Sequence, residues 1–336
     1  MSATPLLELR DVGVAVPIDG VVTPILRRVG FTVGAGEVVG VVGESGSGKS
    51  MIARAILRTL PRDAQCHGQI LLEGSDLLRL SPAALREVRA NRFGMVFQDP
   101  RAFIDPLWRA GDYVAEPLRL PGRLSRQAAH ARALELLESV GIIDPARVSR
   151  SHPHELSGGM LQRVAIAGAL AAEPSVLIAD EPTTALDVTI QAEIVAIIRE
   201  LSRTQQMATI FITHDLDLAT MVCDRVVVVY AGTLMAAQPT ADLLDAPAHP
   251  YARALLNARP RVDARLPRLQ TVPGQPASAA RAPGGCPFHP RCEVATDRCA
   301  SEALELREVA PDTTSTCVRL QAGEITIDRE LRVGHA

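Results

Sequence analysis

Lysine is almost absent from this chain of 336 residues. Lysine and arginine together number 35, and all of them except Lys49 are arginine. Because arginine replaces lysine on most solvated surfaces, a coding bias explains the general shortage. It does not explain where the single lysine lies, which is inside a glycine-rich segment.

Long hydrophobic runs and an excess of positive charge are also missing. No run of about 18 apolar residues occurs, so no transmembrane helix is expected. The first residues show no basic start followed by a long apolar core, so no secretory signal is expected. The net charge of −3 gives no global electrostatic case for a nucleic-acid partner. With 47% apolar residues, the chain can form one large domain or two unequal ones.

Closely spaced cysteine pairs are absent, although four of the six cysteines are clustered. Their spacing is C-x5-C-x6-C-x17-C, formed by Cys286, Cys292, Cys299 and Cys317. In a chain without a secretion signal, such clustering favours a metal site over disulfides. Structural zinc sites usually contain short C-x2-4-C pairs, so an iron–sulfur cluster, zinc and no metal all stay open.

Short apolar strands alternate with helical segments along most of the chain. The pattern predicts strands over 6–9, 30–33, 37–42, 70–72, 176–179, 209–212 and 225–230. It predicts helices over 51–60, 128–140 and 190–201. Such alternation is typical of the α/β class with a mostly parallel sheet.

Prolines interrupt the chain after residue 250, which predicts a domain boundary or a long linker. The stretch 253–291 contains seven arginines and one acidic residue. We interpret it as a solvated, arginine-rich connector, with a patch facing a membrane or a partner as the alternative.

The single lysine belongs to a phosphate-binding motif. The motif G-x-x-x-x-G-K-[ST] is matched in full by Gly43, Glu44, Ser45, Gly46, Ser47, Gly48, Lys49 and Ser50. A predicted strand precedes it and a predicted helix follows it, which is the context that this motif requires. Backbone N–H groups and the helix N-terminus can then surround phosphates, with Lys49 as a point charge and Ser50 as a Mg²⁺ ligand.

Two carboxylates end the strand predicted over 176–179. Strand ends in such sheets face the ligand crevice, so Asp180 is suited to hold Mg²⁺ and Glu181 to polarise an attacking water. His214 follows another apolar strand and is a candidate donor to the γ-phosphate, although a histidine there is more often structural. Gln98 carries no information by itself.

Together these motifs resemble those of the ABC transporter ATPases. The most specific is the LSGGQ-type signature, matched by Leu156, Ser157, Gly158, Gly159 and Met160. Gln98, Asp187 and His214 stand where that family has its Q-loop, D-loop and switch histidine. Order and spacing fit over residues 6–258.

The resemblance implies the P-loop NTPase fold known as the ABC cassette. This fold has a RecA-like parallel sheet core, an N-terminal antiparallel β subdomain and a helical subdomain, here over about 98–172. We expect the cassette over 1–250 and a small cysteine-containing extension over 251–336.

The resemblance also implies ATP and Mg²⁺ as cofactors and a dimer as the active form. The implied catalytic residues are Lys49, Gln98, Glu181 and His214, and the implied Mg²⁺ ligands are Ser50, Gln98 and Asp180. In the family, the signature faces the nucleotide of the opposite subunit, and two nucleotides are bound between two cassettes. Ser157 is expected to cap the helix that begins near Gly159.

Segments 249–256 and 285–292 are similar to segments of the oligopeptide/dipeptide/nickel importer ATPases. This implies a peripheral ATPase on the cytoplasmic face of a bacterial inner membrane that powers import of di- or oligopeptides. Nickel, metal chelates and other small solutes are the alternative. The implied partners are a second ATPase subunit, two membrane permeases and an extracytoplasmic solute-binding protein. The signature with Met160 is similar to that of subunits paired with a non-identical ATPase.

A soluble ABC ATPase acting on nucleic acid is a less favoured function, because the chain has one cassette and no long heptad run. Relatives with this tail are thought to bind a [4Fe–4S] cluster. The resemblance therefore favours such a cluster at the four clustered cysteines, with zinc as the alternative, in a structural role.

Two positions depart from the family pattern. The family usually stacks an aromatic residue on adenine, and the matching position here is Val16, so apolar contact is expected to replace stacking. Where many relatives have Ser-Leu-Asn-Pro after the Q-loop, this chain has Phe103, Ile104, Asp105 and Pro106. This region normally touches the membrane partner, so the fit to that partner is expected to be unusual.

Overall fold

The computed structural model describes residues 4–120, 123–184, 186–259, 271–327 and, for the backbone only, 331–333. Its strands are β1 Leu7–Ile18, β2 Val21–Val33, β3 Val38–Val42, β4 Gln65–Leu72, β5 Ser75–Asp76, β6 Phe93–Val96, β7 Val176–Asp180, β8 Ala208–Thr213, β9 Arg225–Tyr230, β10 Thr233–Pro239, β11 Arg307–Ala310, β12 Thr313–Ser315, β13 Ile325–Ile327 and β14 Leu331–Val333.

The helices are α1 Lys49–Ile56, α2 Pro82–Arg92, α3 Pro100–Phe103, α4 Ala110–Ala115, α5 Arg126–Ser139, α6 Pro145–Arg150, α7 Gly158–Leu170, α8 Val188–Thr204, α9 Leu216–Val222, α10 Thr240–Leu243, α11 Pro250–Asn257, α12 Asp297–Ser301 and α13 Val318–Gln321. Residue contacts divide the chain into two compact units. The first comprises Leu72–Ile212 with Val33–Val38 and the segment up to Leu7. The second comprises Glu8–Thr32, Val39–Leu71 and the segment from Thr213 onward.

Three parallel strands form the buried layer of the first unit. β7 pairs with β6 on one side and with β8 on the other, both in parallel. The four residues of β7 from Val176 to Ala179 are at most 1% exposed, as expected for a central strand covered on both faces. Helices α4 and α5 pack against each other and against both α6 and α7, and α7 also packs against β6.

The sheet of the second unit begins with a hairpin. β1 and β2 are joined at Asp19 and Gly20, whose φ angles of 50° and 79° are those of a primed turn. β2 pairs in parallel with β10, β10 pairs antiparallel with β9, and β9 pairs in parallel with β3. All residues of β3 are buried, which fixes the start of the phosphate loop.

The C-terminal extension contributes further strands to the sheet of the second unit. β12 pairs antiparallel with β10, where Ala236 faces Ser315, and β11 pairs antiparallel with β12. A small separate core contains Val294, Cys317, Ile325 and Ile327. The extension is therefore held both by a main-chain ladder and by apolar packing of its own.

The predicted α/β class is confirmed, and each predicted strand and helix is present, most with shifted bounds. Strands β1, β2 and β4 are longer than the predicted 6–9, 30–33 and 70–72, and the helix predicted over 51–60 is shorter. Helix α1 ends at Ile56 rather than at residue 60. Arg58 has a φ of 51° and Pro61 follows, and neither residue can continue an α-helix. Strand β9 has the predicted bounds. Within the described part of the chain, no helix combines the length and apolar character needed to span a bilayer. The boundaries at residues 98, 172 and 250 stay predictions.

Candidate nucleotide site

The phosphate motif forms a tight loop between β3 and α1 in the second unit, as predicted. Two glycines make this loop possible. A Cβ atom on Gly43 would lie 2.1 Å from the carbonyl oxygen of Val229, so only glycine fits there. Gly48 has a φ of 104° and directly precedes α1, a conformation that L side chains rarely adopt.

Lys49 is folded back over its own loop. Its ammonium donates to the carbonyl oxygens of Gly43, at 2.8 Å, and Glu44, at 3.0 Å, and the residue is only 5% exposed. A compact ammonium can donate in several directions from one point, whereas a planar guanidinium cannot. The loop is thus shaped around a lysine, and this accounts for the position of the single lysine in the chain.

The Glu181 carboxylate, which follows β7 in the first unit, is held by two neighbours. Its Oε2 accepts hydrogen bonds from Gln98 Nε2 and Thr184 Oγ1, both at 3.1 Å, while its backbone N–H donates to Ile212 O. Its φ of 47° is unusual for a non-glycine residue, and such strain is concentrated at functional sites. The structure therefore joins Gln98 to Glu181, and adds Thr184, which the sequence analysis missed.

The other predicted residues occupy strand and helix ends. Ser50 is exposed in the first turn of α1, and Asp180 is the last residue of β7. His214 is exposed immediately after β8, next to the Asp215 that caps α9. Val16 is partly buried in β1.

The signature motif begins helix α7, and its cap is confirmed. The Ser157 hydroxyl accepts the backbone N–H of Met160 at 3.3 Å, while Leu156 is buried beneath. A Cβ atom on Gly159 would lie 2.8 Å from Ile190 of α8, so this glycine is needed for packing within the chain itself. Asp187, the D-loop residue, caps α8 by accepting the N–H of Ile190. The signature and the D-loop are therefore anchored to each other.

Comparisons with known proteins agree with this geometry. Residues 26–184 match the family described as ABC transporter, and residues 236–299 match the oligopeptide/dipeptide transporter C-terminal region. A probable peptide ABC transporter ATP-binding protein of Sinorhizobium fredii, y4tR, is 44% identical over 317 residues, 94% of this chain and 95% of that protein. The chain belongs to the oligopeptide/dipeptide ABC transporter ATPases. The oligopeptide transport ATP-binding protein OppD of Escherichia coli is 41% identical over 318 residues, 94% of each chain.

Solved cassettes share the fold of this ABC ATPase. The dimeric cassette MJ0796, in a post-hydrolysis state bound to ADP and phosphate, superimposes with a TM-score of 0.62 at 28% identity, covering 70% of this chain and 98% of that one. The cbiO1 subunit of Clostridium perfringens gives a TM-score of 0.62 at 28% identity, covering 71% of this chain and 90% of its own. The predicted ABC cassette fold is confirmed, and ATP hydrolysis coupled to transport is the activity of the family.

In this ABC ATPase the four clustered cysteines come together in the C-terminal extension. Cys286, Cys292, Cys299 and Cys317 line one small cavity, together with His249 and His289. All four of these cysteines are described, and none of them forms a disulfide. Burial raises the pKa of Cys286 to about 12 and that of Cys292 to about 11. Among the described residues, no group of three or more His, Cys, Asp or Glu side chains is placed to hold a single metal ion.

One arginine of the connector is not solvated, which corrects the interpretation of the stretch 253–291. Arg291 is only 8% exposed and lies beside a cluster of three buried aromatic rings, Tyr230, Tyr251 and Phe288. The sequence pattern could not distinguish it from its neighbours, because its partners are distant in the chain. Residues 260–270 of this stretch lie outside the described residues.

Proposed function

We propose that this chain is the ATP-hydrolysing subunit of a binding-protein-dependent importer of di- or oligopeptides. The observation that carries the proposal is the combination of two features in one chain. A complete set of ABC nucleotide motifs occurs together with the C-terminal region of oligopeptide/dipeptide transporters. The relatives that match over 94% of this chain are named for peptide or oligopeptide transport.

In the proposed reaction, the loop from Gly43 to Ser50 binds the phosphates of ATP, with Lys49 on the outer phosphates. Ser50, Gln98 and Asp180 hold Mg²⁺. Glu181 orients and polarises the water, and its contacts with Gln98 and Thr184 support this because they fix the carboxylate in one direction. His214 contacts the γ-phosphate. Val16 makes an apolar contact with adenine.

We propose that the active form is a dimer in which the signature, from Leu156 to Met160, serves the nucleotide of the partner subunit. The signature forms the capped N-terminus of α7, and helix N-termini favour anions such as phosphate groups. Asp187 caps α8, whose Ile190 packs against Gly159 of the signature. The partner is proposed to be a second, non-identical ATPase subunit, because the signature with Met160 is similar to that of such pairs.

Membrane permeases are proposed as the docking partners on the cytoplasmic face of the inner membrane. Three large apolar residues just after Gln98 are exposed, namely Phe103 at 55%, Leu107 at 83% and Trp108 at 38%. Solvent-exposed apolar groups this close together mark protein contacts. The ring of Phe103 stacks on that of Phe97 at 3.7 Å between centroids, which holds the region in one arrangement.

A [4Fe–4S] cluster is proposed for the four clustered cysteines, and their cavity supports it. The four cysteines line one cavity, and zinc is the alternative because four thiolates also suit that ion. A cluster needs four thiolates spread around a larger body, in a closed pocket. The ring of His249 lines this cavity, and its buried Nε2 has no hydrogen-bond partner among the described residues. A sulfur of the cluster would give that N–H an acceptor.

The test of the proposed function is peptide-stimulated hydrolysis by the assembled transporter. The chain is reconstituted in vesicles with its permeases, its second ATPase and its binding protein. ATP hydrolysis is measured with short peptides, nickel chelates, RNA, DNA or no addition. Peptides should raise hydrolysis and accumulate inside the vesicles, and Glu181→Gln should abolish both. Stimulation by nickel chelates alone would show that the transported solute is the alternative one, a nickel chelate. Stimulation by RNA or DNA alone would contradict the proposed import function.

The cluster has a separate test. Protein purified without oxygen should show visible absorbance and contain iron and sulfide in stoichiometric amounts. Cys292→Ser should remove most of the visible absorbance and most of the bound iron and sulfide. Colourless wild-type protein without iron would reject the cluster while leaving the import function untouched.

A further inference from the structure

We propose that Arg291 of the C-terminal extension is a positioning residue for the phosphate loop, acting through Glu44. The inference rests on the proposed binding of ATP by that loop. It gives the extension a part in nucleotide binding, in addition to any structural role of its cysteines.

The first observation is a two-pronged ion pair. Arg291 Nη1 donates to Glu44 Oε2 at 2.7 Å, and Nη2 donates to Oε1 at 3.1 Å. The two side chains are only 5% and 22% exposed. Paired contacts of this kind between a guanidinium and a carboxylate are among the stronger hydrogen bonds in proteins. Because the pair is poorly solvated, removing one partner leaves the other charge without compensation.

Arg291 is itself held rigidly, so it can act as an anchor. Its Nε donates to Pro273 O at 2.6 Å, and its Nη1 also donates to the hydroxyl of Tyr230 at 3.1 Å. The guanidinium carbon lies 5.7 Å from the ring centroid of Tyr230 and 5.9 Å from that of Phe288. A lysine at this position could reproduce the charge but not the fork of donors.

The backbone of Glu44 is held from the extension side as well. Its N–H donates to the hydroxyl of Tyr251, in α11, at 2.9 Å. Its carbonyl oxygen accepts from Lys49 Nζ at 3.0 Å. Movement of Glu44 therefore moves one of the two carbonyls that direct the catalytic ammonium. This is a physical route from the extension to the phosphate site.

Charge gives a second route. Glu44 places a carboxylate inside a loop that is proposed to bind the phosphates of ATP, and like charges at close range weaken binding. Arg291 neutralises that carboxylate. Loss of Arg291 should therefore weaken ATP binding both by releasing the loop and by exposing an uncompensated negative charge.

The test is a double-variant cycle in the full-length chain, read out as the Kd of a fluorescent ATP analogue and as KM and kcat for ATP. Arg291→Met should raise Kd and KM about tenfold, with a smaller change in kcat. Glu44→Gln keeps an acceptor oxygen and loses the charge, so Kd should stay within about threefold. Adding Glu44→Gln to Arg291→Met should recover most of the affinity, because no charge is then left unpaired.

Two further variants test the geometry. Arg291→Lys should fall between the wild type and Arg291→Met. Arg307→Met is the matched control, because it removes an exposed ion pair of the same extension, with Glu305, that does not touch the loop. It should leave Kd and KM unchanged.

The proposal is overturned if folded Arg291→Met binds ATP within twofold of the wild type, or if the double variant is weaker than either single variant. If Arg291→Met does not fold, Tyr251→Phe decides. It removes the acceptor for the Glu44 N–H and should weaken binding about threefold, and unchanged binding contradicts the proposal. Lys49→Ala separates this inference from the proposed function. If Lys49→Ala binds ATP as tightly as the wild type, the loop itself is not the nucleotide site.

Discussion

The phosphate loop and the C-terminal extension are built from contacts of opposite range. In the loop, Lys49 donates to carbonyls five and six residues away, and the Ser47 N–H donates to Glu44 O. In the extension, Arg291 reaches Glu44 across 247 residues, and Thr316 reaches Met235 across 81. The Lys49 ammonium is therefore positioned by residues near it in the sequence, whereas the extension is held in place by residues far away in the chain.

This difference predicts different consequences for variants in the two regions. Local contacts around a reacting group can be altered with little effect on the fold, so changes there should act on hydrolysis. Long-range contacts fasten one part of the chain to another, so changes there should act first on stability and, through Glu44, on nucleotide affinity.

The largest effect is expected from Glu181→Gln. Amide replaces carboxylate, so water is no longer polarised, and kcat should fall about 1,000-fold. The contact with Gln98 can persist because the amide keeps an acceptor oxygen, so ATP affinity and the urea midpoint should stay unchanged. Steady-state hydrolysis, nucleotide binding and urea unfolding measure the three quantities. A large loss of stability would contradict the expectation that changes in local contacts around the reacting group act on hydrolysis and not on the fold.

Lys49→Arg should lower kcat about 100-fold, the typical cost of removing one preorganised donor. A guanidinium cannot donate to both Gly43 O and Glu44 O from a single point. The matched control is Arg54→Lys, an exposed change in the same helix, which should leave hydrolysis unchanged. Mg-ATP should also protect Lys49 from acylation in the wild type, and equal labelling with and without nucleotide would count against its assignment.

Phe288→Leu tests how much the buried aromatic cluster of the extension contributes to stability. Phe288 is 1% exposed and packs between Tyr230 and Tyr251, at 5.5 and 5.1 Å between ring centroids. The smaller side chain should cost about 1 kcal/mol in the free energy of unfolding, measured with urea. Phe103→Leu, at a position 55% exposed, should cost much less. Equal losses from the two variants would show that the aromatic cluster does not fasten the extension.

Arg307→Met should have the smallest effect. Its ion pair with Glu305 is exposed, with side chains 63% and 56% accessible, so solvent and salt screen it. The unfolding midpoint and hydrolysis should both stay at wild-type values. A measurable loss in either would mean that ion pairs of the extension matter even when they make no contact with the loop.

The sequence allowed most of the fold and the local part of the site to be predicted. Strands such as β7 contain continuous apolar runs, here Val176 to Ala179, and the cap at Ser157 follows from its position before a helix. These features depend on residues that are neighbours in the chain. The end of α1 was missed because the left-handed conformation of Arg58 leaves no clear signal in the sequence.

Contacts between distant residues could not be predicted. Nothing near Gln98 indicates that it meets Glu181 and nothing near Arg291 indicates that it meets Glu44, since each pair is joined only by the folded chain. Arginine is also so common in this sequence, where it replaces lysine almost everywhere, that a single arginine gives no signal of a special role. The bias towards arginine made Lys49 easy to recognise as a functional residue and made Arg291 hard to recognise.

Because Lys49 is buried and is the single lysine of the sequence, proteolysis at this residue can measure local opening of the phosphate loop. A lysine-specific endoprotease has a single site here, and cleavage would give residues 1–49 and 50–336. Because Lys49 is only 5% exposed, the protease can act only when the loop and the start of α1 open. When opening and closing are fast relative to cleavage, the cutting rate reports the free energy of that one local opening.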